Sequence, residues 1–316
     1  MKEFKSLDEQ IALLKRRGMI IPDEERAKLY LLTNNYYNII NGYSKYFPCK
    51  GDRYTSHTTF DEVTHLYLFD KEIKQSFLNA ILTAESHLKA IFAYRFAEKY
   101  QNIPYAYLNI NCYDQTKILS VGSTIAKLSN LINWQKKYSN TSIYHYVQNH
   151  NDVPIWVLVN FLDFGELRYM ISASPTCLQN AVAKDLGNFI KLHIQSPSTF
   201  EPETMMSFIE NINDVRNVCA HSNRLIGFSC RRDSIYWNSL HDKFSISPTM
   251  ERRSVFSVLL SLQCFLTVAE YGTLQNKIRK LMKRLSNCLH TIAIDDILSR
   301  LGFPAGWFLK VPTIKY

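Results

Sequence analysis

Glycine and proline are scarce in this sequence, ten of each among 316 residues, so neither a glycine-rich turn scaffold nor a proline-rich linker accounts for much of it. There is no Walker loop, no Gly-x-Gly-x-x-Gly run opening a helix and no His-Glu-x-x-His pair, so P-loop hydrolysis, dinucleotide chemistry and zinc proteolysis lack their carriers. A Gly-x-Ser-x-Gly nucleophile turn is missing as well. The seven cysteines, at 49, 112, 177, 219, 230, 264 and 288, are odd in number and form no Cys-x-x-Cys pair. Reduced thiols are expected, rather than a disulfide framework or a structural zinc site. No metal and no cofactor are expected, and Cys219 reads as packing rather than as a nucleophile.

Long apolar runs are also missing. Ser254 to Ala269 is free of charge, but it carries Ser257, Ser261, Gln263 and Thr267 and falls short of the roughly 20 apolar residues a membrane span needs. It reads as a buried core helix. The opening Met1-Lys2-Glu3-Phe4-Lys5, followed by Asp8 and Glu9, does not fit a secretory signal, so a cytoplasmic protein with no membrane partner is expected.

Hydrophobic residues make up 46% of the chain, enough for a packed core. The formal charge of +9 favours a polyanionic partner, because clustered Lys and Arg release counterions from nucleic acid. Lys277, Arg279, Lys280, Lys283 and Arg284 form a block with no acid inside it, either a solvated helix face or an RNA contact. The pairs Arg231-Arg232 and Arg252-Arg253 add to the positive charge.

Helical periodicity dominates the pattern. Leu7, Ile11 and Leu14 recur at helical spacing, Ser6 and Glu9 form a capping box and Gly18 ends the run. A second helix starts after Pro22, led by Asp23, Glu24 and Glu25, with Leu29 and Leu32 expected to face inward. Tyr36, Tyr37, Tyr43 and Tyr46 then read as core aromatics or as platforms for unpaired bases. From Phe60 to Tyr100 apolar residues recur at three and four with no Pro or Gly, which predicts one long helix as the spine of a bundle. Further helices are expected over 121–138, from Pro154 onward with Trp156 packed and Gly165 allowing close helix contact, over 176–191, and over 203–220. A loop or short hairpin covers 227–247, a core helix runs from Pro248 to about Arg284 with a break at Gly272, and a short helix spans 294–301. No alternating strand pattern is convincing. The expected fold is all-α, with a small helical module over residues 1–50 and a helical domain over 51–316.

The densest chemistry lies in Asn213-Asp214-Val215-Arg216-Asn217-Val218-Cys219-Ala220-His221, followed by Asn223-Arg224-Leu225. Arginine offers a permanently charged fork that matches phosphate oxygens, and histidine can accept and release a proton near neutrality. Asn217 and His221 share a helix face, whereas Arg216 and His221 diverge by about 140° at 100° per residue. They therefore converge on one phosphate only if the helix is distorted or a second copy completes the site. The bland reading pairs Arg216 with Asp214 or Glu210 and leaves His221 satisfying a helix end. Arg284 and His290 have similar spacing, but Leu285 stands where Asn217 follows Arg216.

The arginine, polar residue and downstream histidine resemble the signature of HEPN-domain proteins. The chain is similar over nearly its whole length to the Abi family of abortive-infection proteins, in the AbiD/AbiF branch. Its landmarks are Asn34-Asn35-Tyr36-Tyr37 with Gly42-Tyr43, Glu85, Pro154-Ile155-Trp156 with Phe164-Gly165-Glu166-Leu167, Arg216-Asn217 through Arg224-Leu225, and Leu301-Gly302-Phe303-Pro304 with Trp307. Lys89 and Asn160 depart from that pattern, which has arginine and glutamate there. The resemblance implies a HEPN-like bundle with a C-terminal helical extension and a metal-independent endoribonuclease or toxin of phage defence. Arg216, Asn217 and His221 would be catalytic. Glu85, with Lys89 one turn on, would support Arg216. Arg224 and the α-helical block Lys277, Arg279, Lys280, Lys283 and Arg284 would contact RNA. RNA, as target or as bound noncoding RNA, and a second copy of the chain are the expected partners. The alternatives are a binder of structured RNA that does not cut, then a protein-interaction module.

Overall fold

The computed structural model describes residues 3–55, 57–150, 152–221 and 223–315. The chain forms α1 (Leu7–Arg16), α2 (Glu24–Asn34), a hairpin of β1 (Cys49–Lys50) and β2 (Arg53–Tyr54), then the spine α3 (Phe60–Lys99). After it come α4 (Ile118–Gln135), α5 (Ser142–Asn149), α6 (Ile155–Leu158), α7 (Phe164–Ala173), α8 (Thr176–His193) and α9 (Pro202–Ala220). The last third holds α10 (Asn238–His241), α11 (Val255–Ser261), α12 (Val268–Ser286), α13 (Ile294–Ser299) and α14 (Trp307–Lys310). The fold is all-α, as its periodicity predicts, and the two-residue strands are its one ladder among the described residues.

The 40 residues of α3 span about 60 Å at 1.5 Å each. No Gly or Pro interrupts it, and Thr59 with Glu62 closes a capping box at its start. Phe69, Ile73, Phe77, Ile81, Leu88 and Phe92 are all buried along it. α6, α8, α9 and α12 pack against this spine. Glu62 also accepts hydrogen bonds from the His290 N–H (2.8 Å), the Thr291 N–H (2.7 Å) and the Thr291 hydroxyl (2.7 Å), tying the turn after α12 to the start of α3. Burial opposes that charge, but these hydrogen bonds prevail and hold the Glu62 carboxyl below its usual range.

The buried residues of α1 and α2 join the same core as α3. Ile20 bridges to this region, its N–H donating to the Thr58 carbonyl and its carbonyl accepting from the Phe60 N–H, each at 2.9 Å. α1 carries the expected capping box of Ser6 and Glu9. In α2, however, Ala27 and Leu31 are buried, while Leu29 is 62% and Leu32 67% exposed. The small face of α2 is what fits against α1, so the leucines point outward, contrary to their expected inward orientation.

Other expectations also need correcting. The helix starting at Pro154 stops at Leu158 because a new cap intervenes: the Asp163 carboxylate accepts from the Glu166 N–H at 2.7 Å and opens α7. Trp156 is 56% exposed rather than packed. A Cβ on Gly165 would meet only its own cap, Asp163, so no close helix contact explains that glycine. The C-terminal core helix breaks over 262–267 instead of at Gly272: Thr267 and Glu270 form a capping box that starts α12, which runs through Gly272 unbroken. Gly302 does have a geometric reason. Its φ is +81°, and a Cβ there would lie 2.3 Å from Ser254, the N-cap of α11.

Phe77→Ala should lower stability by about 3–5 kcal/mol, because the ring is completely buried on the spine. Leu29→Ser should change it by no more than about 0.5 kcal/mol. Urea titration of both variants checks the contrast.

Candidate functional site

The site is the carboxyl end of α9 and the segment after it. Pro202 starts the helix, and Met205, Phe208, Ile209, Ile212 and Val215 bury one stripe against neighbouring helices. Glu210, Asp214, Asn217 and His221 follow each other along the opposite, partly open side. His221 is the C-cap; its N–H donates to the Asn217 carbonyl at 3.0 Å and its residue is exposed. Arg216, four residues after Ile212, continues the side of that stripe and is half-buried; its Nε is buried with no hydrogen-bond partner among the described residues. The helix is regular up to Ala220, so the divergence of about 140° between Arg216 and His221 stands within one chain.

The carboxylates offered as simple partners for Arg216 are engaged elsewhere. Glu210 receives Arg168 Nη1 at 3.0 Å, and Asp214 accepts from the Arg231 N–H at 3.1 Å. Glu85 is buried and pairs with Lys89 at 2.8 Å, and Lys89 also donates to the Leu162 carbonyl at 2.7 Å. Glu85 Oε2 has no hydrogen-bond partner either, so that oxygen and Arg216 Nε do not bond each other.

What fixes the segment after His221 is Asp70, which sequence reasoning missed. Asp70 is wholly buried on α3. Its Oδ1 accepts from the Leu225 N–H (3.0 Å) and the Ile226 N–H (2.8 Å), and its Oδ2 from the Tyr43 hydroxyl (2.8 Å). Lys74, one turn along, lies 3.3 Å from the same carboxylate and donates to the Asn223 carbonyl at 2.9 Å. The signal in the sequence was an acid at 70 and a lysine at 74 inside an otherwise apolar face. An i, i+4 pair on a helix is usually a surface feature, and nothing in the spacing marks this one as buried.

Arg224 is built into the same junction. It donates to the Gly42 carbonyl through Nη1 (2.8 Å) and to the Ile226 carbonyl through Nε (3.1 Å), and it stacks over Tyr46. On α12, Lys277, Lys280, Lys283 and Arg284 are exposed. Arg279 instead holds the C-terminal segment through the Phe308 carbonyl (3.1 Å) and the Thr313 hydroxyl (2.9 Å), and Arg284 pairs with Glu72. A cleft of about 780 Å³ lies elsewhere, between the second half of α3 and residues 152–160, and includes Lys89, Tyr94, Trp156 and Asn160 in its walls. Among the described residues no three His, Cys, Asp or Glu side chains are grouped to hold a metal ion. No helix of the described residues is long and apolar enough to cross a membrane.

A family model described as Abi-like protein matches residues 29–227. The chain belongs to the Abi-like family. It is therefore an abortive-infection protein, of a family that acts in phage defence. The Abi-like match runs from α2 to the turn just past the motif, and so includes Asp70, Glu85, Arg216, Asn217, His221 and Arg224 but not the basic block of α12. No curated protein and no solved structure matches the chain.

In this Abi-like chain, Asp70→Ala should cost about 3 kcal/mol or more, because it leaves buried backbone N–H groups and the Tyr43 hydroxyl without their acceptor. Amide exchange at Leu225 and Ile226 should accelerate more than at the core of α8. Burial pushes the Cys219 thiol up to about 12, so below that pH it stays a thiol and a poor nucleophile. At pH 8, mass spectrometry after iodoacetamide should find exposed Cys49 and Cys177 alkylated and Cys219 intact.

Proposed function

We propose that this protein is a metal-independent endoribonuclease of the HEPN type, in the AbiD/AbiF branch, acting on cellular RNA in the cytoplasm as a toxin of phage defence. The observation that carries the reading is the exposed His221 capping α9, one turn after Asn217, with the Arg216 Nε left without a hydrogen-bond partner among the described residues. An orphaned buried donor is costly in a folded protein unless a ligand satisfies it.

The reaction needs no group beyond the RNA itself. Its 2′-hydroxyl attacks the adjacent phosphorus, the bond to the 5′-oxygen breaks, and a 2′,3′-cyclic phosphate remains on one product. His221 serves as base toward the 2′-hydroxyl or acid toward the departing 5′-oxygen. Arg216 neutralises the charge that builds on the phosphate oxygens, and Asn217 orients the imidazole or the phosphate. DNA lacks the attacking hydroxyl and would be spared.

Because Arg216 and His221 diverge along a regular helix, we place the working site between two copies of the chain, each lending one of the two residues. Twofold symmetry would set the carboxyl ends of both α9 helices face to face. The same divergence favours a second reading, in which the motif grips phosphate without cutting and the protein is a binder of structured RNA.

Incubation of total bacterial RNA with the protein in EDTA, with end-group analysis of the products, separates these readings. Wild type should leave cyclic phosphates, and His221→Ala should cut about 10²–10⁴-fold more slowly. Arg216→Ala should be similarly impaired, and Arg216→Lys should recover little, since a point charge does not replace the fork. Mixing Arg216→Ala with His221→Ala subunits should restore up to about a quarter of wild-type activity, because half the dimers are mixed and each holds one intact site. No recovery on mixing would place both residues in one chain, and RNA bound without cleavage would establish the second reading.

A further inference from the structure

We infer that Lys45, Arg224 and Arg300 form a phosphate-binding subsite that holds the RNA backbone beside the α9 motif. The three cations converge on one ring. Lys45 Nζ lies 5.4 Å, the Arg224 guanidinium 5.7 Å and the Arg300 guanidinium 5.0 Å from the centre of Tyr46. They come from three separated parts of the chain: the segment after α2, the turn after the motif, and the end of α13.

Like charges gathered this closely repel, and the fold offers them no acid. None of the three forms an ion pair with the described residues. Asp70, which accepts from the same Tyr43 segment and post-α9 turn, is buried and already engaged by Tyr43, Leu225, Ile226 and Lys74. Burial, and then the charges of Arg224 and Arg300, hold the Lys45 ammonium below its usual range, which an arriving anion would relieve. The rigid parts of the cluster are built by hydrogen bonds. Tyr46 donates its hydroxyl to the Ile226 carbonyl at 2.9 Å, and Arg224 uses two donors on backbone carbonyls. Lys45 and Arg300 are exposed and make no side-chain hydrogen bond to the described residues, so their donors remain free for a ligand. Gly227 packs into the same corner: its N–H donates to the Arg300 carbonyl at 3.2 Å, and a Cβ there would lie 3.4 Å from the Tyr46 hydroxyl.

The occupant is an RNA phosphodiester rather than an acidic peptide because of where the cluster lies. Arg224 is three residues from His221, so their Cα atoms are within about 11 Å even if the chain between them is extended. A strand whose reacting phosphate reaches His221 would bring a neighbouring phosphate to this cluster. The inference rests on the proposal that the protein acts on RNA, and adds residues outside the α9 motif, one of them beyond the family match.

The test measures binding of a fluorescent single-stranded RNA to the full chain across a salt series, in a His221→Ala background so that the probe survives. Lys45→Gln combined with Arg300→Gln should bind more weakly, with a salt slope shallower by about 1.4, roughly 0.7 for each lost phosphate contact. Neither side chain holds the fold together, so the melting temperature should not move. An unchanged slope in a chain that does bind RNA would overturn the subsite and leave RNA action standing. Loss of binding to a poly-glutamate peptide, with RNA unaffected, would assign the cluster to a protein partner instead. No RNA affinity before the substitutions would overturn both the subsite and the reading beneath it. A shallower slope without cleavage by the histidine-containing protein would keep the subsite and discard the nuclease.

Discussion

The constraint on which the fold depends is the burial of α3. Its apolar side chains are spread around much of its circumference, so covering them requires partners on several sides rather than one. α6, α8, α9 and α12 supply that cover, and each is positioned by what it buries there. The acids on the spine then become structural, since a buried carboxylate must be met by donors. Glu62 receives the turn after α12, Glu85 receives Lys89, and Asp70 receives the backbone just beyond α9. Helix packing alone would place α9 beside α3 and leave the chain after it free. Asp70 is what sets the direction in which that chain departs.

Positive charge is divided between two uses. Arg95 pairs with Asp185, Arg168 with Glu210 and Arg284 with Glu72, while Arg252 and Arg279 are spent largely on backbone carbonyls and one hydroxyl. Such residues count toward the formal charge but their donors are already engaged. Lys45 and Arg300 are different, because they stand exposed around a shared ring and form no ion pair among the described residues. Net charge therefore overstates the surface available to a polyanion, and the arrangement of the unpaired cations says more than the total.

Much of the fold was legible in the sequence because it is carried by local rules. The capping box of Ser6 and Glu9, and the uninterrupted run from Phe60, read directly into α1 and α3. The errors came where tertiary packing chose between chemically similar faces. Leu29 and Leu32 look like core, but α2 turns Ala27 and Leu31 inward; Trp156 looks like core, but rims a cleft. The motif itself was visible as Arg216, Asn217 and His221. Its support was not, because Asp70 lies far away in sequence and meets Leu225 and Ile226 through their backbone, a contact that leaves no mark on side-chain identity. The same holds for the cluster around Tyr46, which joins three distant segments.

The position of the motif at a helix end bears on how an accessible histidine coexists with a stable fold. On the packed stripe of α9, a histidine would be buried against neighbouring helices. As the C-cap, His221 stays exposed while the residue before it closes the helix and the residues after it are held by Asp70 and Lys74. Anchoring on both sides limits how far the imidazole can drift without covering it, which is the geometry a general acid or base requires. Arg216 is constrained differently: it continues the packed side of the same helix, half-buried, with its Nε unpartnered among the described residues. Under the proposed function, a phosphate or a second subunit that reached this side chain would gain from satisfying that donor. The two residues thus differ, His221 being open and anchored and Arg216 half-buried with its Nε unpartnered among the described residues, and under the proposed function a substrate bridging two subunits would use both.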